Sequence, residues 1–377
     1  MKRSLFALCL AGLTAVLSAP AGLTEPADTT NVELPPGFSL WQPSLNVRAG
    51  LGYKDNLTLS SFAPQGSAFE KVSGEAMLLR LPWNNWQVNL FAVGSDTRYF
   101  DHSAGVDAEQ TAATSAQFTW FPHDDWRSVT AVEYTYLNQV MDVSATYGSI
   151  ARQQILGQGL TARQGVRADL GPWFGEANVA GSRYYYHAPL DDYWTFGPTA
   201  RAGRYYGYAS ELSVAGSFLP QHYDTREQVG QDGIPLAGTS LRFVSRQIEL
   251  AWLHYWDEPR RWRVSARASA ERNTDNGTGY FDYWQYGLTG QLRWRPPGWG
   301  FTAGSGASYY DFDRQRVSLT DARIRRRTVI TALLRAEKQL GNHWKVYAAY
   351  DYERSLSNAR VEAYAAHTGS GGIEYEY

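Results

Sequence analysis

Charged side chains fall on a single parity along several alternating stretches of this 377-residue chain. Arg263, Arg267 and Glu271 alternate with Trp262, Val264, Ala266, Ala268 and Ala270. Arg48 and Lys54 alternate with Leu45, Val47, Ala49, Leu51 and Tyr53. Arg293 shares a parity with Tyr283, Gln285, Thr289 and Gln291, opposite Trp284, Tyr286, Leu288, Leu292 and Trp294. Lys345, Asp351 and Glu353 oppose Trp344, Val346, Ala348, Tyr350 and Tyr352; Arg335 and Glu337 lie in a further alternating stretch, and Glu249 in a less regular one. Groups of both signs, with no attached nucleophile, act through local potential: they attract, repel and hydrogen-bond ions and polar solutes. Buried in a dry core, so many charges would be very costly. A hydrated interior removes that cost.

Bond-making chemistry has weaker support. The seven histidines are scattered, and Asp101-His102 in a polar stretch is the best acid–base candidate among them. An Asp beside a His in a loop is commonplace, and catalysis needs a geometry that adjacency does not supply. There is no phosphate-binding glycine loop and no His-x-x-x-His pair. The chain is therefore not expected to be an enzyme, and no catalytic residue, metal site or cofactor is expected. A formal net charge of −2 gives no basic surface for nucleic acid.

Alternation of period two is the signature of a strand with two different faces. It dominates after residue 43, with no long stretch of helical period. Short polar turns flanked by aromatics punctuate it: Pro82–Trp86, Pro122–Trp126, Gly171–Phe174, Arg204–Tyr208, Trp256–Trp262, Trp294–Trp299 and Leu340–Trp344. Longer polar segments fall between them, at 60–67, 101–108, 141–149, 187–192, 224–238, 273–281, 313–322 and 356–363. Seven turns and eight loops connect sixteen strands, with fourteen or eighteen still compatible. The expected fold is all-β: an antiparallel up-and-down barrel with a water-filled lumen, as a barrel of this strand number is wide enough to hold. Mean hydropathy of −0.42 suits such a barrel, since only alternate residues meet lipid. The turns recur about every 43 residues, near a propeller-blade repeat, but no repeated Gly-His or Trp-Asp signature accompanies them.

The beginning of the chain reads as an export signal. Met1-Lys2-Arg3 is basic, Leu5–Leu17 is apolar, and Ala19-Pro20-Ala21 offers small residues for cleavage. Residues 1–21 are the expected signal peptide, 22–43 a polar, Pro-bearing periplasmic extension, and 44–377 the barrel. The single cysteine, Cys9, falls in the signal, so no disulfide is expected in the exported chain.

Two short motifs carry resemblances. The final residues, Ser370-Gly371-Gly372-Ile373-Glu374-Tyr375-Glu376-Tyr377, resemble the signal by which the outer-membrane insertion machinery recognises bacterial barrels, with Ser370, Gly372, Tyr375 and Tyr377 in its four specified places. Gly52-Tyr53-Lys54-Asp55-Asn56 resembles the Gly-Tyr-x-Asp-Asn first strand of the outer-membrane β-barrel porin families, some of whose members are linked to exopolysaccharide gene clusters. The resemblance implies a bacterial outer-membrane barrel with both termini periplasmic. The charged, hydrated lumen of such a barrel points to a channel for passive diffusion of small polar or anionic solutes. Exopolysaccharide export and a structural or adhesive surface role are the alternatives.

The expected pore-lining residues are Arg48, Arg263, Arg267, Arg293, Arg335, Glu271 and Glu337, with a mild basic excess in the final third that favours anions or anionic saccharides. Tyr283 and Tyr347 are expected to fill the wall rather than stack on sugars, and Thr225–Gly238 is the longest loop that could narrow the bore. Arg323, Arg325, Arg326 and Arg327 cluster at a loop-side strand end, where contact with lipopolysaccharide phosphates and simple solvation are both open. A homotrimer is also open.

Overall fold

The computed structural model describes residues 39–102, 104–143, 152–318 and 321–377. The expected signal peptide, residues 22–38 of the extension and residues 144–149 of the 141–149 loop lie outside the described residues. Sixteen long strands form one closed barrel. In chain order they begin with β1 Trp41–Lys54, β2 Ser67–Trp83, β3 Trp86–Tyr99, β4 Ala108–His123, β5 Trp126–Asp142 and β6 Arg152–Leu170. Next come β7 Trp173–Tyr186, β8 Tyr193–Tyr206 and β9 Ser210–Tyr223. A small hairpin, β10 Gln228–Val229 and β11 Pro235–Leu236, interrupts the series inside one loop and pairs only with itself. The wall resumes with β12 Arg242–Tyr255, β13 Trp262–Asp275, β14 Tyr283–Trp294, β15 Trp299–Arg316, β16 Ile324–Gln339, β17 Trp344–Ser357 and β18 Tyr364–Glu376. Every barrel pair is antiparallel, and β18 closes onto β1 from Asn46↔Glu376 to Lys54↔Thr368. The seven short turns and eight loops fall where the sequence pattern places them. β1 starts at Trp41, three residues ahead of the expected boundary.

Turn chemistry fixes the register. At the β2–β3 turn, Asn84 and Asn85 both have positive φ (52° and 64°), the geometry a two-residue hairpin needs and asparagine tolerates. Trp83↔Trp86 flank it as the last pair of the ladder. At the closing seam the backbones approach closely. A Cβ on Gly372 would collide with the carbonyl of Ala49, and one on Gly50 with the carbonyl of Gly371 at 2.6 Å, so glycine is required at both.

The outer surface is an apolar belt. Leu45, Val47, Leu51, Val72, Leu90, Val132, Leu160, Val214, Ile248, Leu250, Leu288, Leu334 and Ile373 are all exposed on it. Trp41, Trp120, Trp126, Trp173, Trp256, Trp262, Trp299 and Trp344 ring the short-turn end, while Trp194 and Trp284 mark the loop end. The ring is amphipathic and prefers a membrane–water boundary. Trp284 and Trp294 bound β14 ten positions apart. At about 3.3 Å per residue and a tilt near 40°, they span roughly 25 Å, the height of the apolar band of a membrane barrel.

Candidate functional site

Because the large apolar side chains point outward, the charged parity points into the barrel. In the short-turn half this inner wall is organised as ion-pair networks. Glu374, almost wholly buried, accepts from Arg335 Nη2 at 2.6 Å, Arg48 Nη2 at 3.3 Å and Asn46 Nδ2 at 2.5 Å. Arg335 also holds Glu337 at 2.5 Å and lies 4.6 Å from the ring of Tyr347. One carboxylate thus ties β16, β18 and β1 together across the closing seam. On the opposite wall Asp169 accepts from Arg127 at 2.8 Å and Arg167 at 2.9 Å, and Arg201 pairs with Glu211. Arg267 pairs with Glu249 at 3.1 Å. Arg48, Arg163 and Arg267 each keep about a third of their side-chain surface exposed, so this part of the wall is wet.

One sector differs. Arg263 and Arg293 face each other across β13 and β14, and Tyr255 sits beside Arg263 on β12. The β12–β13 turn adds Arg260 and Arg261, and the β14–β15 turn adds Arg295, whose backbone N–H donates to the Arg261 carbonyl at 2.9 Å. Together with Pro259 these residues line an open recess of about 330 Å³ at the short-turn mouth. Among the described residues, none of these five arginines forms an ion pair; Arg263 Nε is buried without a hydrogen-bond partner, as are Arg48 Nε, Arg127 Nε and Arg163 Nε elsewhere in the wall. Asp257, in the same turn, is used to accept the Trp262 N–H at 3.0 Å.

The loop end is packed. Leu57 and Leu59 of the β1–β2 loop turn inward onto Phe69, Tyr99, Val106, Val140, Tyr364 and Ala366. Phe281 of the β13–β14 loop packs with Tyr193, Tyr223, Leu241 and Phe243, and Leu190 of the β7–β8 loop with Leu137, Met141, Val143 and Ile155. Arg327 on β16 meets Asp142 on β5 at 2.7 Å, both side chains fully buried. β17, β18, β1, β2, β3 and β4 lie between them on one side, and eight strands on the other, so this pair joins nearly opposite walls. Beside it Arg325 pairs with Glu362 at 2.8 Å. Outside this layer, the Arg183 guanidinium holds the Asp224 carboxyl of the β9–β12 loop below the usual carboxylate range.

The residues singled out in the sequence fall in different surroundings. Glu271 is buried and accepts from Ser245 Oγ at 2.7 Å, so it belongs to the wall and does not face open water. Arg48, Arg335 and Glu337 are committed to one network. The arginine cluster divides: Arg323 and Arg326 are exposed and paired with Asp321 and Asp311, whereas Arg325 and Arg327 are buried inside, out of reach of lipopolysaccharide. Tyr283 packs against Tyr310 and Phe312. Apolar residues of shorter loops pack onto strand residues at the loop end, while residues 231–238 of the longest loop are exposed. His102 pairs with Asp107 at 2.8 Å on an exposed loop.

No family model and no curated protein matches the chain. Among solved structures it is similar to OccAB1 of Acinetobacter baumannii, at 10% identity and a TM-score of 0.49, covering 89% of this chain and 96% of that one. It is also similar to an anion-selective porin from Comamonas acidovorans (8%, 0.41, 89% and 99%) and to a bacterial polysaccharide outer membrane secretin (11%, 0.44, 89% and 97%). The fold assignment itself rests on this chain's own strand pairing.

Proposed function

We propose that this chain is an outer-membrane channel for small polar solutes, anions preferentially, gated by the packed layer at its loop end. The observation that carries the reading is the two-faced wall: a tryptophan-bounded apolar belt of membrane height outside, and partly exposed charged groups inside. Lipid accepts the first face and only water the second. Both described chain ends lie at the short-turn rim, where Leu45 and Tyr377 exchange backbone hydrogen bonds, which supports a periplasmic location for them. The lining we assign is Arg263, Arg267, Arg293 and the exposed flanks of Arg48, Arg335 and Glu337.

The Arg327–Asp142 clasp is the testable part of the gate. Replacing both partners avoids the orphan charge that a single change would leave. In planar bilayers the refolded wild-type protein is expected to show rare or small conductance steps, and the Asp142→Ala/Arg327→Ala protein larger, longer ones. Both are expected to be anion-selective under a salt gradient. A double variant that is folded yet silent would overturn the channel reading.

A further inference from the structure

We infer that the five-arginine recess at the short-turn mouth is a binding site for a multivalent oxyanion, a phosphate-bearing or polycarboxylate solute. Arg263 and Arg293 are directly opposed across two strands, a like-charge pairing that destabilises a sheet. Elsewhere in the short-turn half Arg48, Arg127, Arg167, Arg201 and Arg335 each have a carboxylate. Here, among the described residues, none of the five arginines forms an ion pair, although Asp257 and Glu258 stand in the turn that carries Arg260 and Arg261. An anion would relieve the repulsion and satisfy the buried Arg263 Nε.

The geometry suits such a ligand. Planar guanidinium forks bind carboxylate and phosphate through paired hydrogen bonds. The donors come from two adjacent hairpins, locked together by the Arg295 N–H to Arg261 carbonyl bond, so they converge without rearrangement of the strands. A volume of about 330 Å³ lies at the small end of the range for small-molecule sites, roughly 300–1,000 Å³. Tyr255, Arg263 and Arg293 point into the barrel, away from the lipid belt, which favours a soluble anion over a phospholipid headgroup at the rim. The inference deepens the channel reading only in giving that anion a place on the solute path. Its test uses binding, not conductance.

The probe is inorganic pyrophosphate, titrated calorimetrically into the refolded barrel in uncharged detergent, with folding checked by heat-modifiable electrophoretic mobility. Arg263→Ala/Arg293→Ala is expected to weaken binding by roughly tenfold or more. Arg323→Ala, a surface change paired with Asp321 at the far end, is expected to leave it unchanged. Raised salt is expected to weaken it further. A folded wild-type protein that does not bind pyrophosphate, or binds it equally after the double change, would overturn the site. In a parallel arm, copurifying phospholipid is quantified by mass spectrometry. Lipid lost from the double variant while pyrophosphate binding is absent throughout would overturn the assignment to a solute.

Discussion

At the scale of single residues, the inner wall divides arginines that look alike in sequence. Arg263 and Arg267 lie four positions apart on one strand and share a face, yet Arg267 has Glu249 and Arg263 has no carboxylate. Parity along the strand makes the shared face legible. Partners come from strands distant in sequence and depend on register, which no single stretch encodes. Glu374 shows this most sharply. It stands in the C-terminal strand beside Tyr375, and nothing local marks it as the acceptor for Arg48, Arg335 and Asn46. Removing one member of a buried ion network leaves uncompensated charge, so Glu374→Ala is expected to cost about 3–5 kcal/mol. Urea unfolding of the refolded barrel in lipid vesicles measures that loss. A cost near zero would mean that water, not Glu374, satisfies the two guanidiniums.

At the scale of elements, the strands and short turns were the most legible part of the molecule. Tryptophans beside paired polar residues such as Asn84-Asn85 and Asp124-Asp125 punctuate the alternation, because hairpin turns and the membrane boundary coincide there. The inward-folded loops were not legible. Leu57, Leu59 and Phe281 lie among polar residues, where an isolated apolar side chain usually means nothing. In the folded barrel they are nearly inaccessible to solvent and form much of the loop-end layer. The available signal was the pair Leu57 and Leu59 sharing a parity just beyond a strand end. Leu57→Asp/Leu59→Asp places two charges in that apolar cluster, where burial is costly. The loop is therefore expected to leave the bore, raising conductance without lowering the folded fraction by more than a small amount, since the wall hydrogen bonds are untouched. Single-channel recording and electrophoretic mobility on the same preparation check both halves of that expectation.

At the scale of the whole molecule, one physical division explains both the low mean hydropathy and the membrane placement. Half of each strand answers to lipid and half to the interior, so composition averaged over the chain describes neither. The two faces make opposite demands of the same substitution. Leu288 is exposed in mid-belt between Trp284 and Trp294, and an arginine there has no water within reach. Thr331 lies on the parity of Arg335 and stands opposite Glu353 in the ladder, so an arginine there meets a carboxylate and the bore. In vesicles of outer-membrane lipid, Leu288→Arg is expected to destabilise the barrel by about 2–4 kcal/mol, the midplane value for a charge facing lipid, and Thr331→Arg by less than about 1 kcal/mol. In detergent micelles, where the belt is looser, the difference is expected to shrink. Equal costs at the two sites in lipid would mean that the exposed apolar surface covers something other than a bilayer.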